Sequence, residues 1–182
     1  MNEATQTFIT KARSLLSDEY LPKIERCLAD LSDDEVWWRA NPESNSIGNL
    51  LLHLAGNARQ WIVSGVGGRA DDRVRQQEFD EQSGIERAAL LTRLRQTLED
   101  VDGVLAEFDP ARILEERRIQ GDDVTALEAV FHVVEHFAMH TGQIILLTKM
   151  LKGADLKFYD FTSGRPESRW GRATSRPRIE NG

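Results

Sequence analysis

"TALEAVFHVVEHFAMHTGQIILLTKMLKG", residues 125–153, decides the fold. Thr125 can cap the first turn of a helix while Glu128 reaches back to it, and Gly153 can end that helix in the left-handed conformation. Between them Val130, Val134, Phe137, Ile144 and Ile145 recur at helical spacing, so the stretch predicts one long helix buried on more than one face. Three histidines, His132, His136 and His140, ride on that helix four residues apart, with Gln143 following. At roughly 100° per residue His136 lies about 40° round from His132 and His140 about 80° round, with Gln143 in the same arc. A polar arc on an apolar helix needs partners, because each buried polar group left unsatisfied costs roughly 1 to 3 kcal/mol.

Working outward, three further segments show the same periodicity. Residues of about 4 to 30 place Phe8, Ala12, Leu15, Leu16, Tyr20, Ile24 and Cys27 on one stripe. A second helix is expected from a cap at Ser46 through "IGNLLLHLAGNARQWIVSGV", stopped by "GVGG". A third, about residues 84 to 107, aligns Leu90, Leu91, Leu94, Leu98, Val101 and Leu105 and ends before Asp109 and Pro110. The turn-rich "LSDDEVWWRANPESNS" and the polar linker "RADDRVRQQEFDEQ" connect them. With no repeat and no alternating strand pattern, residues 1–153 read as an all-α four-helix bundle, whose long connections at 31–46 and 66–83 argue against simple up-down-up-down topology. Residues 154–182 lose the helical period and form an irregular, basic C-terminal extension, with Arg165, Arg169, Arg172, Arg176 and Arg178 against Glu167 and Glu180. It reads either as a solvated terminus or as a segment whose "KFYDF" and Trp170 fold back on the bundle or across a dimer partner.

Composition narrows the class. The chain has 182 residues, 40% of them hydrophobic and 29% charged, with a formal net charge of -7, which suits one folded domain. A single cysteine, Cys27, offers no intramolecular disulfide and fits a reducing cytoplasm. The N-terminal "MNEATQTFITKARSLL" lacks the apolar core of a signal peptide, and no window is long and apolar enough for a membrane span. An acidic body repels phosphate backbones and argues against nucleic-acid partners.

The fourth histidine, His53, stands midway along the second helix with Asn49, Asn57 and Gln60 on the same side. Two helices that a bundle can pack together therefore carry all 4 histidines. This pattern suits a divalent cation held by two imidazoles one helical turn apart and a third from the facing helix, with at least one coordination position open. The competing reading is a buried hydrogen-bond cluster of His53, His136, Glu135 and the amides. His132 and His140 are separated by about 12 Å along the helix and cannot share an ion, so the pair is either His132 with His136 or His136 with His140, and spacing alone does not choose.

"SIGNLLLHLAGNARQW" followed by "HVVEHFAMHTGQI" resembles the DinB-like, YfiT-type metal-binding four-helix bundles over about residues 4 to 152. In that family a second-helix histidine joins the two histidines of an H-x-x-x-H-x-G-Q element. Carried over position by position, the resemblance implies His53, His136 and His140 as metal ligands, with Gly142 and Gln143 completing the element. Thr141 stands where the family often has Arg. The resemblance further implies an up-down-down-up bundle, a zinc or nickel ion, and homodimers. Characterised members include S-transferases using low-molecular-weight thiols and a thiol-dependent isomerase.

The functional reading is thus a metal-dependent enzyme of the thiol S-transferase type, acting on small molecules. A metal-dependent hydrolase is the alternative and would need a general base, for which Glu135 and Glu128 are candidates. A non-catalytic metal- or ligand-binding bundle is the third reading. His132, Gln143 and Glu135 are the candidate residues beside the ion, His132 as an orienting residue or pocket wall one turn away.

Overall fold

A computed structural model of the chain describes residues 3–169. The first rod of the bundle is α1 (Glu3–Ser14) and α2 (Leu21–Leu28), joined without a break by a π-helical turn over Leu15–Tyr20. That turn ends two residues before Pro22, which has no N–H to donate and whose ring would collide with the carbonyl four residues back in a regular α-helix. Ile9, Ala12, Leu16, Ile24 and Cys27 form its buried stripe. After a short helix, α3 (Asp33–Trp37), the second rod is α4 (Ile47–Ala58), continued in π-helical form through Arg59–Val66. The other two rods are α6 (Arg87–Glu107) and α7 (Ala126–Lys152).

The ends fall where the local chemistry places them. Ser46 accepts from the backbone N–H of Asn49 while the Asn49 side chain accepts from Ser46 N–H. Thr125 and Glu128 make the same reciprocal cap on α7, and Gly153 ends it at φ 60° with its N–H on Lys149 O. Every residue of α4 from Ile47 to Ala58 is buried, so this rod runs through the middle of the packing.

Cross-contacts fix the directions. Arg13 pairs with Asp102 and Arg95 with Glu25, so the first rod is antiparallel to α6. Cys27 lies against Thr148, and Lys152 reaches Glu35, so the first rod runs parallel to α7. Trp37 donates to Ile85 O beneath Gly48 at one end, and Arg59 meets Asp100 at the other, so the second rod is parallel to α6. Asn57 meets His132 and His53 meets His136, so α4 and α7 are antiparallel. Up, down, down, up is the result.

Four local structures depart from the sequence reading, the first being α3 inside the connection read as turn-rich. The polar linker, read as a connection, contains a helix, α5 (Arg75–Asp80), packed on α4. Residues read as non-strand form an antiparallel hairpin, β1 (Glu116–Ile119) with β2 (Asp122–Thr125), turned through Gln120 and Gly121 at φ 54° and 93°. Its strands are four residues each and largely polar, too short to show an alternation, and only Ile119 is fully buried, against the backbone of Gly65. The extension is not irregular throughout: β3 (Tyr159–Asp160) and β4 (Glu167–Ser168) pair in a second hairpin. Leu156 is buried, Phe158 packs against the core, and Arg26 donates to Leu156 O, while Tyr159 and Phe161 are exposed. Arg169 pairs with Asp160 inside the hairpin rather than with the acidic body. Trp170, Arg172, Arg176, Arg178 and Glu180 lie outside the described residues. Among the described residues no helix is long and apolar enough to cross a membrane.

Candidate metal centre

The antiparallel seam between α4 and α7 carries its polar residues as rungs one helical turn apart. On one rung His53 faces His136, their Nε2 atoms 2.8 Å apart, and His140 closes a triangle, its ring centroid 5.2 Å from that of His53 and 4.4 Å from that of His136. One nitrogen from each of the three lies within 4.8 Å of the others. On the next rung Asn57 Nδ2 donates to His132 Nε2 at 3.1 Å, and Trp61 stacks on the His132 ring at 4.0 Å. His132 therefore stands one turn from the triangle and outside it.

Hydrogen bonds behind the rings decide which nitrogens face inward with lone pairs. His140 Nδ1 is 2.6 Å from Gln143 Oε1, an acceptor, so the proton belongs on Nδ1 and Nε2 keeps its lone pair. That Nε2 is buried and has no partner. His53 Nδ1 is likewise 2.8 Å from Glu78 Oε2, which directs its Nε2 lone pair at His136. Two inward lone pairs, one of them orphaned, and a third imidazole between them make a donor set that suits a divalent cation, and these three residues could hold one. Two of the imidazoles, His136 and His140, are also pushed toward the neutral form that ligation requires. Burial, then the neighbouring His140, His53 and His132 and the Arg73 guanidinium, push His136 down to about 3. Burial lowers His140 too, with the Gln143 bond opposing it, and burial is the first cause of the lowering at His132.

The carboxylate behind His53 comes from the linker. Glu78 on α5 is buried, gripped by Arg73 through Nε at 2.7 Å and Nη2 at 2.9 Å. Burial alone would raise Glu78, but the hydrogen bonds from Arg73 and His53 and the Arg73 charge outweigh it and hold the carboxyl below its ordinary range. Arg73 Nη1 donates to Gln60, which Gln120 of the β1–β2 turn also contacts. The approach is close enough to require glycine on α4: a Cβ at Gly56 would sit 2.0 Å from Glu78 Oε1. Sequence reasoning missed Glu78 and Arg73 because charges in a linker look like solvated ones. The one local signal was Gly56 itself, a mid-helix glycine three residues beyond His53.

The remaining candidates separate clearly. Gln143 backs His140. Glu135 is exposed on the outer side of α7, and Glu128 is committed to the cap at Thr125. Asn49 belongs to the framework rather than the triangle, donating to Glu78 O and Glu81 O. Cys27 is a buried core thiol whose pKa burial pushes up to about 11, which leaves it no nucleophilic role.

Comparison with known proteins agrees with this architecture. A DinB-like protein from Bacillus cereus ATCC 10987 superposes with a TM-score of 0.59 at 16% identity, covering 75% of this chain and 88% of its own. A conserved protein from Enterococcus faecalis does so with a TM-score of 0.59 at 14% identity, covering 85% of this chain and 98% of its own. At such identities the likeness is one of fold. No curated protein matches the chain. The family described as "Protein of unknown function (DUF1572)" matches residues 3–165, which takes in all four rods of the bundle and the first strand of the second hairpin. The chain therefore belongs to the DUF1572 family, and it shares the fold of a DinB-like protein.

Proposed function

We propose that this protein binds one zinc or nickel ion through His53, His136 and His140 and uses the open side of that ion for S-transfer from a low-molecular-weight thiol to a small electrophile. The observation that carries the metal reading is the buried, unpartnered Nε2 of His140 beside the 2.8 Å His53–His136 contact. A simple hydrogen-bond cluster would have satisfied that atom. Imidazole suits both metals, so either can fill the site.

Thiol chemistry is favoured over hydrolysis by the carboxylates. Glu78 is consumed by Arg73 and His53, Glu128 by its cap, and Glu135 points outward, so no free carboxylate general base stands at the triangle among the described residues. When bound, the cation would hold a thiol in its deprotonated form, for which no such base is needed. The chain's own residues supply the rest. Gln143 and Glu78 keep two imidazoles turned inward, and the stacked Trp61 and His132 wall the seam one turn away. In the overall reaction the thiol's proton passes to solvent, a carbon–sulfur bond forms and the bond to the electrophile's leaving group breaks, the leaving group keeping its electron pair.

Elemental analysis after loading with zinc and nickel should find about one ion per chain. Turnover is then measured with a panel of thiols and electrophiles beside ester and amide substrates. Ester or amide hydrolysis without thiol turnover would favour the hydrolase, and saturable ligand binding without turnover the binding protein. A homodimer is part of the same reading: Phe131, Met139, Leu146 and Met150 expose an apolar stripe on the outer side of α7 that a second copy would cover. Sedimentation at monomer mass at all accessible concentrations would remove it.

A further inference from the structure

We infer that Glu78, braced by Arg73, is the positioning residue of the centre, fixing His53 as the Nδ1–H tautomer with its Nε2 lone pair aimed into the triangle. The inference rests on the metal reading above and assigns a role to a residue of the linker.

The geometry leaves His53 little choice. Arg73 grips both oxygens of the carboxylate, and the two side chains are only 5% and 8% exposed, so Glu78 is an ion-paired, acceptor-only group in a dry setting. An imidazole nitrogen 2.8 Å from such an oxygen must donate, because a lone pair there would face a negative charge. The 3.2 Å approach of Arg73 Nη2 to the same nitrogen is then a neighbour contact rather than a competing bond. With Nδ1 carrying the proton, Nε2 is free to bind, and the ring cannot turn without breaking the pair.

A purely structural role, in which the Glu78 side chain fastens the linker to the bundle, is already filled by other groups. Asn49 Nδ2 donates to Glu78 O at 2.9 Å and to Glu81 O at 2.7 Å, and Arg39 Nη2 donates to Phe79 O at 3.3 Å and Glu81 O at 3.1 Å. These bonds clamp the backbone of α5 and its exit. The carboxylate is left to turn inward, into space that Gly56 keeps clear. Carboxylates behind metal-bound histidines set ring orientation and basicity, and their removal weakens metal binding by roughly 10 to 100-fold.

The test has two arms on the full chain. Long-range nitrogen–proton NMR of the imidazole rings in metal-free protein reads the His53 tautomer, and competition with a chromophoric chelator reads zinc affinity. In wild type His53 is expected as the Nδ1–H form. Glu78→Gln, whose amide can donate as well as accept, should admit the Nε2–H form and weaken zinc by about 10 to 100-fold. Arg39→Ala, which loosens the backbone clamp but spares the carboxylate, should keep the tautomer and affinity of wild type. Wild-type tautomer and affinity in Glu78→Gln would overturn the inference, and so would an equal loss in Arg39→Ala. Where Glu78→Gln does not fold, Glu78→Asp carries the test, with a smaller loss expected and an unchanged protein overturning it. A wild-type chain that takes no zinc would refute the metal reading alone, since the tautomer arm decides the positioning role without metal.

Discussion

Gly56→Ala sets two known effects against each other at one atom. In the middle of a helix the exchange normally stabilises by about 0.5 to 1 kcal/mol, because alanine has the better helix propensity. Here the new methyl would stand 2.0 Å from Glu78 Oε1 and 3.0 Å from Arg73 Nε, well inside van der Waals contact. A glutamate tip can usually swing away, but this one is held by two bonds from Arg73 and one from His53, and moving it weakens all three. Hydrogen bonds to charged groups contribute about 1.5 to 3 kcal/mol each, so losing the equivalent of one or two outweighs the propensity gain. The expected net loss is about 0.5 to 5.5 kcal/mol, or a Tm lower by roughly 1 to 20 °C for a domain of this size. Thermal and urea unfolding of metal-free protein measure it. Gly103→Ala is the control: this glycine also lies within a helix, α6, but a Cβ there meets nothing within 4 Å, and it should stabilise by about 0.5 to 1 kcal/mol. Gly56→Ala as stable as Gly103→Ala would refute the view that α4 is hollowed out to admit Glu78.

Among the histidines, His140→Ala should abolish stoichiometric zinc binding whereas His132→Ala should retain it, as read by equilibrium dialysis; equal loss in both would mean that the ligand pair is wrongly assigned. Folded His136 resists protonation down to about 3 while an unfolded histidine titrates near 6.5, so the unfolded state takes up more protons as pH falls. Metal-free protein should therefore hold its full His136 contribution above about pH 6.5 and lose it progressively between 6.5 and 3, and His136→Gln should flatten that part of a stability–pH curve. Arg87 donates through Nη1 to the carbonyls of Leu28, Ala29 and Leu31, where the first rod ends. Arg87→Ala should cost about 1 to 3 kcal/mol by urea unfolding, and an unchanged midpoint would show that water replaces those bonds without loss.

The sequence by itself determined the four rods, because each carries its own signals: an apolar stripe at helical spacing, caps at Ser46 and Thr125, and a stop at Gly153. It also determined that His53 and the three histidines of α7 sit on helices able to face each other, since side chains four residues apart share a face whatever surrounds them. The choice between His132 and His140 needed either the family likeness or the tertiary structure, because the distance of each ring from His53 depends on how α4 and α7 are set against one another. Glu78 and Arg73 belong wholly to the tertiary level. Nothing local distinguishes "DDRVRQQEFDEQ" from a solvated linker, and the burial of those two charges follows only from Asn49 and Arg39 clamping α5 over the bare backbone at Gly56. Periodicity records which face of a helix is buried. Which charges lie beneath that face is settled by contacts between residues 25 apart, such as His53 with Glu78, that no local pattern encodes.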